Sequence, residues 1–323
     1  MRAIVQDAYG PADVLELRDI DKPEAGDGEV LVRVHAAGVD RGAWHLMTGL
    51  PYPIRLAGVG FRAPKNKVLG SEVAGQVEAV GTEVTRFRPG DDVMGTCNGS
   101  FAEYARSRQD RLAAKPANLG FEQAAAVPIS GSTALQALRD QGRVRAGQKV
   151  LVVGASGGVG SFAVQIAKAF DTEVTGVCST SKVELVRSLG ADHVLDYTVE
   201  DFADARQRYD LVLDIGGNTS VTRLRRALTP EGTLVIVGGE SGGRWLGGLQ
   251  RQLRALVTSP FVRQRLRVFV AREHYEELEA LTELIEAGKV MPAIDRTYPL
   301  SDVAEAIRYL EQGRARGKVV ITV

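Results

Sequence analysis

The run Val150-Leu151-Val152-Val153-Gly154-Ala155-Ser156-Gly157-Gly158-Val159-Gly160 limits the fold of this chain more than any other stretch. Four consecutive apolar residues suit a strand buried on both faces of a parallel sheet. Beyond the glycines, Val159, Phe162, Ala163, Ile166 and Phe170 fall on one face of a helix with 3.6 residues per turn. A strand that passes through glycines straight into a helix predicts a dinucleotide-binding crossover unit. The strict pattern G-x-G-x-x-G needs glycine at 155, where Ala155 stands, while Gly157 and Gly160 keep the other two slots. Gly157 lets backbone approach a pyrophosphate, Gly160 lets helix and strand pack closely, and N–H groups at the helix start attract phosphate. Ala155, Ser156, Gly157, Gly158, Val159 and Gly160 are therefore the expected cofactor loop.

The alternation continues downstream. Further strands are expected at Glu173 to Cys178, His193 to Leu195, Tyr209 to Asp214, Thr233 to Val237 and Leu266 to Val270. Helical stretches lie between them, among them Ser181 to Leu189, where Ser181 and Glu184 have capping-box spacing and Gly190 supplies the stop. Six strands separated by helices predict a doubly wound parallel sheet, whose ligands sit at the carboxyl ends of the strands. Gly216, after Asp214, and Gly238-Gly239, after Val237, stand at such ends. The first 120 residues read differently, as short strands and turns: Val30, Val32 and Val34 alternate with Leu31, Arg33 and His35, and Arg88-Pro89-Gly90-Asp91-Asp92 is a strong turn. Two helices are expected near the end, Glu273 to Ala287 stopped by Gly288 and one capped by Ser301 and stopped by Gly313, before a final strand Lys318 to Val323.

Cofactor choice follows from the end of the second strand, where an acidic residue would hold the ribose 2′-hydroxyl of NAD. The sequence there is Val177-Cys178-Ser179-Thr180-Ser181-Lys182. With no acid in that stretch, a 2′-phosphate meets hydroxyls and an ammonium, so Ser179, Thr180 and Lys182 point to NADPH. The same hydroxyls also suit capping of the following helix.

Forty basic and forty acidic side chains leave no net charge, which argues against nucleic acid as a partner. Two cysteines, Cys97 and Cys178, cannot form a disulfide framework or a four-cysteine zinc site. With no signal-peptide pattern at Met1, the expected location is the cytoplasm. Val150 to Ala167 carries no charge but is broken by glycines, so no stable membrane insertion is expected. Between Glu240 and Glu273 seven arginines occur without an acid, interleaved with Trp245, Leu253, Phe261 and other apolar residues. That stretch suits a lid or dimer surface, contact with a membrane surface, or an anionic partner.

Ala37-Gly38-Val39, Leu69-Gly70-Ser71-Glu72-Val73-Ala74-Gly75, Arg88-Pro89-Gly90-Asp91, Phe101-Ala102-Glu103-Tyr104, Gly154 to Gly160, Leu189-Gly190-Ala191-Asp192 and Gly317-Lys318 together resemble the medium-chain dehydrogenase/reductase superfamily, in its zinc-free quinone oxidoreductase-like branch. The resemblance covers essentially the whole chain. It implies an α/β architecture: a GroES-like β-rich catalytic domain, 1–122 completed by 296–323, plus a Rossmann cofactor domain, 123–295. Asp40 and Ser71 replace the cysteine and histidine that hold catalytic zinc in other members, so no metal is expected.

By resemblance, Asp40 faces the nicotinamide ribose, Thr133 lies near the nicotinamide end, Tyr197 lies near the adenosine phosphate, and Lys318 is the late cofactor-contacting lysine. Tyr52 is a candidate proton donor or orienting group. Without a Lewis acid, an already electrophilic acceptor is the plausible substrate. The implied activity is hydride transfer from NADPH to a quinone or an α,β-unsaturated carbonyl. The alternatives are zinc-independent alcohol or aldehyde oxidoreduction and a non-catalytic NADPH-binding role. The expected partners are that small-molecule hydride acceptor and a second copy of the chain, paired two-fold along the edge strand 266–270.

Overall fold

The computed structural model describes residues 1–204, 207–239 and 243–323. Seven strands come first: β1 (Arg2–Val5), β2 (Glu16–Asp19), β3 (Glu29–Val39), β4 (Glu72–Val80), β5 (Asp92–Thr96), β6 (Tyr104–Arg108) and β7 (Leu112–Ala114). Six follow: β8 (Lys149–Val153), β9 (Glu173–Cys178), β10 (His193–Asp196), β11 (Tyr209–Asp214), β12 (Leu228–Ile236) and β13 (Arg265–Val268). The last two are β14 (Ile294–Pro299) and β15 (Lys318–Thr322). Two compact units result. Met1–Ser132, Glu273–Glu286 and Pro292–Val323 form the first, and Thr133–Arg272 with Ala287–Met291 forms the second.

The first unit is built on β3. This strand pairs antiparallel with β4, β6 and β15, in a sheet ordered β14-β15-β3-β4-β5-β7. The alternation read at Val30 to His35 captures only part of the strand, because Leu31 and all of Ala36 to Val39 are buried as well. Both faces of its second half are therefore covered. The C-terminal strand returns to this sheet with Val319 opposite Val39. Sequence drew the domain boundaries at 122/123 and 295/296, whereas the first unit also takes in 123–132 and Glu273–Glu286. Packing explains the difference. Ala124 and Ala125 are fully buried on the helix Phe121–Ala125, which packs on β3 and β4. Helix Tyr275–Glu286 packs on β7, and Asn118 Nδ2 donates to its Ile285 carbonyl at 2.9 Å.

In the second unit all six strands are parallel, in the order β10-β9-β8-β11-β12-β13. This is the doubly wound sheet expected from the alternation, with its chain reversal between β8 and β11. The helix Gly158–Ala169 is buried on every face from Gly160 to Ala167, rather than along the single stripe read from periodicity. Its one amide, Gln165, is satisfied by both the carbonyl and the N–H of Met291 at 2.9 Å. The uncharged stretch Val150 to Ala167 thus divides into β8 and this helix, and among the described residues no helix is long and apolar enough to cross a membrane.

Three local expectations need correction. Ser181 does not cap the helix Val183–Ser188, because a 3₁₀ turn Thr180–Lys182 precedes it and neither turn nor helix start has a side-chain cap. Ser301 lies inside the turn Leu300–Asp302, and its hydroxyl donates to Asp302 Oδ1 instead of capping helix Val303–Glu311. Strand β13 ends at Val268, leaving Phe269 and Val270 beyond the ladder.

Candidate active site and cofactor cradle

In the second unit, Gly154 turns the chain at the end of β8 with φ +90°, a conformation that suits glycine. Added to Gly160, a Cβ would lie 2.1 Å from the Gly154 carbonyl oxygen, so this glycine lets helix and strand meet. A Cβ on Gly157 would meet only that same oxygen, at 3.7 Å, leaving open space above the loop. Gly157 is the N-cap of helix Gly158–Ala169 and offers no side chain to the helix start. The first-turn N–H groups, those of Gly158, Val159 and Gly160, consequently lack helical acceptors and face that space with the positive end of the helix dipole. Ala155 and Ser156 are buried beneath. This cradle fits a dinucleotide pyrophosphate.

Gly216 flanks it, its N–H donating to the Val153 carbonyl at 3.0 Å across the chain reversal. Gly238 and Gly239 serve packing: Cβ atoms there would lie 2.1 Å from Ile215 O and 3.0 Å from Gly248 Cα.

At the end of β9 the structure brings Ser179, Thr180 and Lys182 beside Tyr197. Cys178 pairs in register with Asp196, and the Tyr197 N–H donates to the Cys178 carbonyl at 3.1 Å. Thr180 and Tyr197 are exposed, Ser179 and Lys182 half-buried. Sequence found no acid in the stretch after β9, but space supplies one. Asp196, ending the neighbouring strand, accepts hydrogen bonds from Thr180 and from the Thr198 backbone and hydroxyl. The Thr180 hydroxyl bond leads the interactions that hold its carboxyl below the usual range, so it is ionised. Only strand pairing reveals this residue, because it ends the neighbouring strand β10 and not the stretch that follows β9.

Arg251 is a second residue whose place only the fold discloses. Read as one of seven surface arginines, it instead turns inward from helix Leu249–Thr258 to pair with Asp214, which is fully buried at the end of β11. It also donates to the Thr219 carbonyl at 3.0 Å. Burial raises the Asp214 carboxyl pKa, and Arg251 opposes that shift.

In the first unit, three charged residues converge from distant parts of the chain. Asp40 follows β3, Glu72 opens β4 and Lys318 opens β15. Glu72 Oε2 pairs with Lys318 Nζ, and Glu72 Oε1 accepts the Ile129 N–H at 2.9 Å, at the start of helix Pro128–Gln136. Thr133 lies half-buried farther along that helix. Burial pushes the Glu72 carboxyl up to about 7, Lys318 pulls it down and Asp40 adds to the rise. Gly38 makes room for the pair, since a Cβ there would lie 2.3 Å from Glu72 Oε2.

Asp40 Oδ1 caps helix Arg41–Thr48 through the Ala43 N–H at 2.9 Å, while its buried Oδ2 has no partner. Lys318, expected at the cofactor, is 2% exposed and spends its ammonium on Glu72. Tyr52 is half-buried with the Arg55 guanidinium 4.9 Å from its ring centroid, and Arg55 also covers Tyr9. Neither Arg55 nor Tyr9 carried a sequence signal. Among the described residues no cluster of three His, Cys, Asp or Glu side chains could hold a metal ion.

The family model for the alcohol dehydrogenase GroES-like domain matches residues 26–117, and that for the zinc-binding dehydrogenase matches 189–321. Among similar curated proteins, an NADPH-dependent alkenal/one oxidoreductase of Arabidopsis thaliana is 36% identical over 99% of this chain and 79% of its own length. A 2-methylene-furan-3-one reductase of Solanum lycopersicum is 34% identical over the same shares. The solved quinone oxidoreductase of Coxiella burnetii superimposes with a TM-score of 0.88 at 30% identity, over 100% of this chain and 99% of its own.

Proposed function

The chain belongs to the medium-chain dehydrogenase/reductase superfamily, in its quinone oxidoreductase-like branch, and on that premise we propose that it is an NADPH-dependent oxidoreductase reducing quinones or α,β-unsaturated carbonyls. The observation that carries this reading is the uncapped helix start above Gly157, with hydroxyls and an ammonium at the end of the next strand. Bound NADPH would supply the hydride. The N–H groups of Gly158, Val159 and Gly160 would hold its pyrophosphate, and Ser179, Lys182 and Tyr197, joined by Thr180 once its hydroxyl turns from Asp196, would hold the adenosine phosphate. Arg251 and Asp214 fix the backbone beside Gly216 and Gly238. The unpartnered Oδ2 of Asp40 is the acceptor assigned to the nicotinamide ribose, and Glu72 with Lys318 holds the backbone around it.

Metal independence belongs to this reading and rests on Asp40 and Ser71, neither of which provides the nitrogen or sulfur ligands of a catalytic zinc site. An electrophilic acceptor needs orientation and a proton more than a Lewis acid. Tyr52 is the assigned proton donor. The buried free thiols Cys97 and Cys178 suit a reducing compartment, and the cytoplasm is the proposed location. A two-fold dimer through β13 is also included, supported by the edge position of that strand.

The test is oxidation of NADPH, followed at its absorbance band, with a panel of quinones, enones, saturated aldehydes and alcohols. Turnover confined to quinones and enones supports the proposal. Turnover of alcohols or saturated aldehydes alone favours zinc-independent alcohol oxidoreduction, and binding without turnover favours a non-catalytic role.

A further inference from the structure

Helix Leu249–Thr258 is inverted relative to an ordinary surface helix. Surface helices turn an apolar stripe inward and a polar face outward. Here the inward residues are Ala255, fully buried, and Arg251, paired with Asp214. Leu249, Leu253, Leu256 and Val257, which helical spacing places on one face, are exposed, Leu253 to 57% and Val257 to 69%. Phe261, on the following turn, extends the stripe at 84% exposure.

The surrounding charge has a single sign. Residues 243–272 hold seven arginines and no acidic side chain, leaving the rest of the chain with seven more acidic than basic groups. With Arg251 turned inward, Arg244, Arg254 and Arg263 remain exposed around the apolar stripe, while Arg265 and Arg267 belong to the edge strand β13.

We propose that this face docks peripherally on an anionic phospholipid surface. Exposed leucines beside a rim of arginines match the layering of a bilayer, with negative headgroups above an apolar interior. A second copy seated on the stripe itself, as distinct from the backbone pairing proposed along β13, fits less well, because it would set Arg244, Arg254 and Arg263 against their own copies with no acid in the segment to separate them. A ten-residue helix is far too short to span a bilayer, so the contact is interfacial. Because the whole chain carries no net charge, the attraction is local to this face.

The experiment is co-sedimentation of the full chain with vesicles of phosphatidylcholine alone and of phosphatidylcholine mixed with phosphatidylserine. The expected result is binding to the mixed vesicles, little to the neutral ones, and release by salt. Arg244→Gln with Arg263→Gln should lower binding by about 25-fold, on the basis of roughly fivefold per arginine. Leu253→Gln with Val257→Gln should lower it by about tenfold or more. Both pairs are exposed, so NADPH binding should be unchanged and reports that the fold is intact. No binding to the mixed vesicles, or equal binding to both kinds, would overturn the proposal. So would capture by poly-glutamate without vesicle binding, which indicates an acidic protein partner, or self-association abolished by the leucine and valine changes.

Discussion

Lys318 and Glu72, 246 residues apart in sequence, form an ion pair from which water is excluded on both sides. Breaking one partner of such a pair leaves a buried charge, at a cost of about 3–5 kcal/mol. Lys318→Met should therefore destabilise the chain, and the loss should depend on pH. The folded-state pKa of Glu72 is already raised to about 7 by burial, and removing the ammonium that opposes burial raises it further. A carboxyl with a raised folded pKa takes up its proton on folding, so its stabilising contribution is present below the unfolded pKa and lost as pH rises through the folded one. Urea denaturation should show a small deficit at pH 5 and a larger one at pH 8. The double variant Lys318→Met/Glu72→Gln should abolish that slope.

The adenosine end provides a second prediction. Lys182→Ala should weaken NADPH binding by about 1.5–3 kcal/mol, the scale of a hydrogen bond to a charged group, with little effect on NADH. Asp196→Asn removes a negative charge from the same corner and should improve NADPH binding relative to NADH by up to about fivefold. Titration of both cofactors by fluorescence checks each value. Equal losses for NADPH and NADH in Lys182→Ala would mean that the lysine does not select the phosphate.

What could be read from the sequence follows from the range of the interactions involved. The cofactor loop was legible because strand, glycines and helix are contiguous, and each glycine answers to a local constraint such as the φ of Gly154 or the contact at Gly160. The parallel sheet was legible because most of its strands are short apolar runs with helices between them, although among the described residues no helix joins β10 to β11 and β13 carries Arg265 and Arg267. Asp196, Arg251 and the partnership of Glu72 with Lys318 were not, because each depends on pairing between segments far apart in sequence. Arg251 shows this most plainly. It carries the same side chain as its exposed neighbours, and only the fold turns it toward Asp214.

Metal independence is tested by exhaustive chelation followed by elemental analysis. Activity should be retained and zinc should be well below one equivalent, because Asp40 caps a helix and Ser71 adds no nitrogen or sulfur ligand. Stoichiometric zinc with chelator-sensitive turnover would restore alcohol oxidation as the favoured activity.

Edge pairing makes a further prediction. Light scattering at micromolar concentration should give the mass of two chains, and Val268→Pro, which removes an amide donor from β13, should give monomers that still bind NADPH. A monomeric parent protein would rule out the two-fold contact.

Hydride transfer itself is tested most directly with NADPH deuterated at the reactive ring carbon, supplied together with an enone. The account predicts one deuterium in the reduced product, at the carbon β to the carbonyl, with turnover in the presence of chelator. Reduced product without deuterium, or no consumption of NADPH with any quinone or enone while the cofactor is bound, would contradict it.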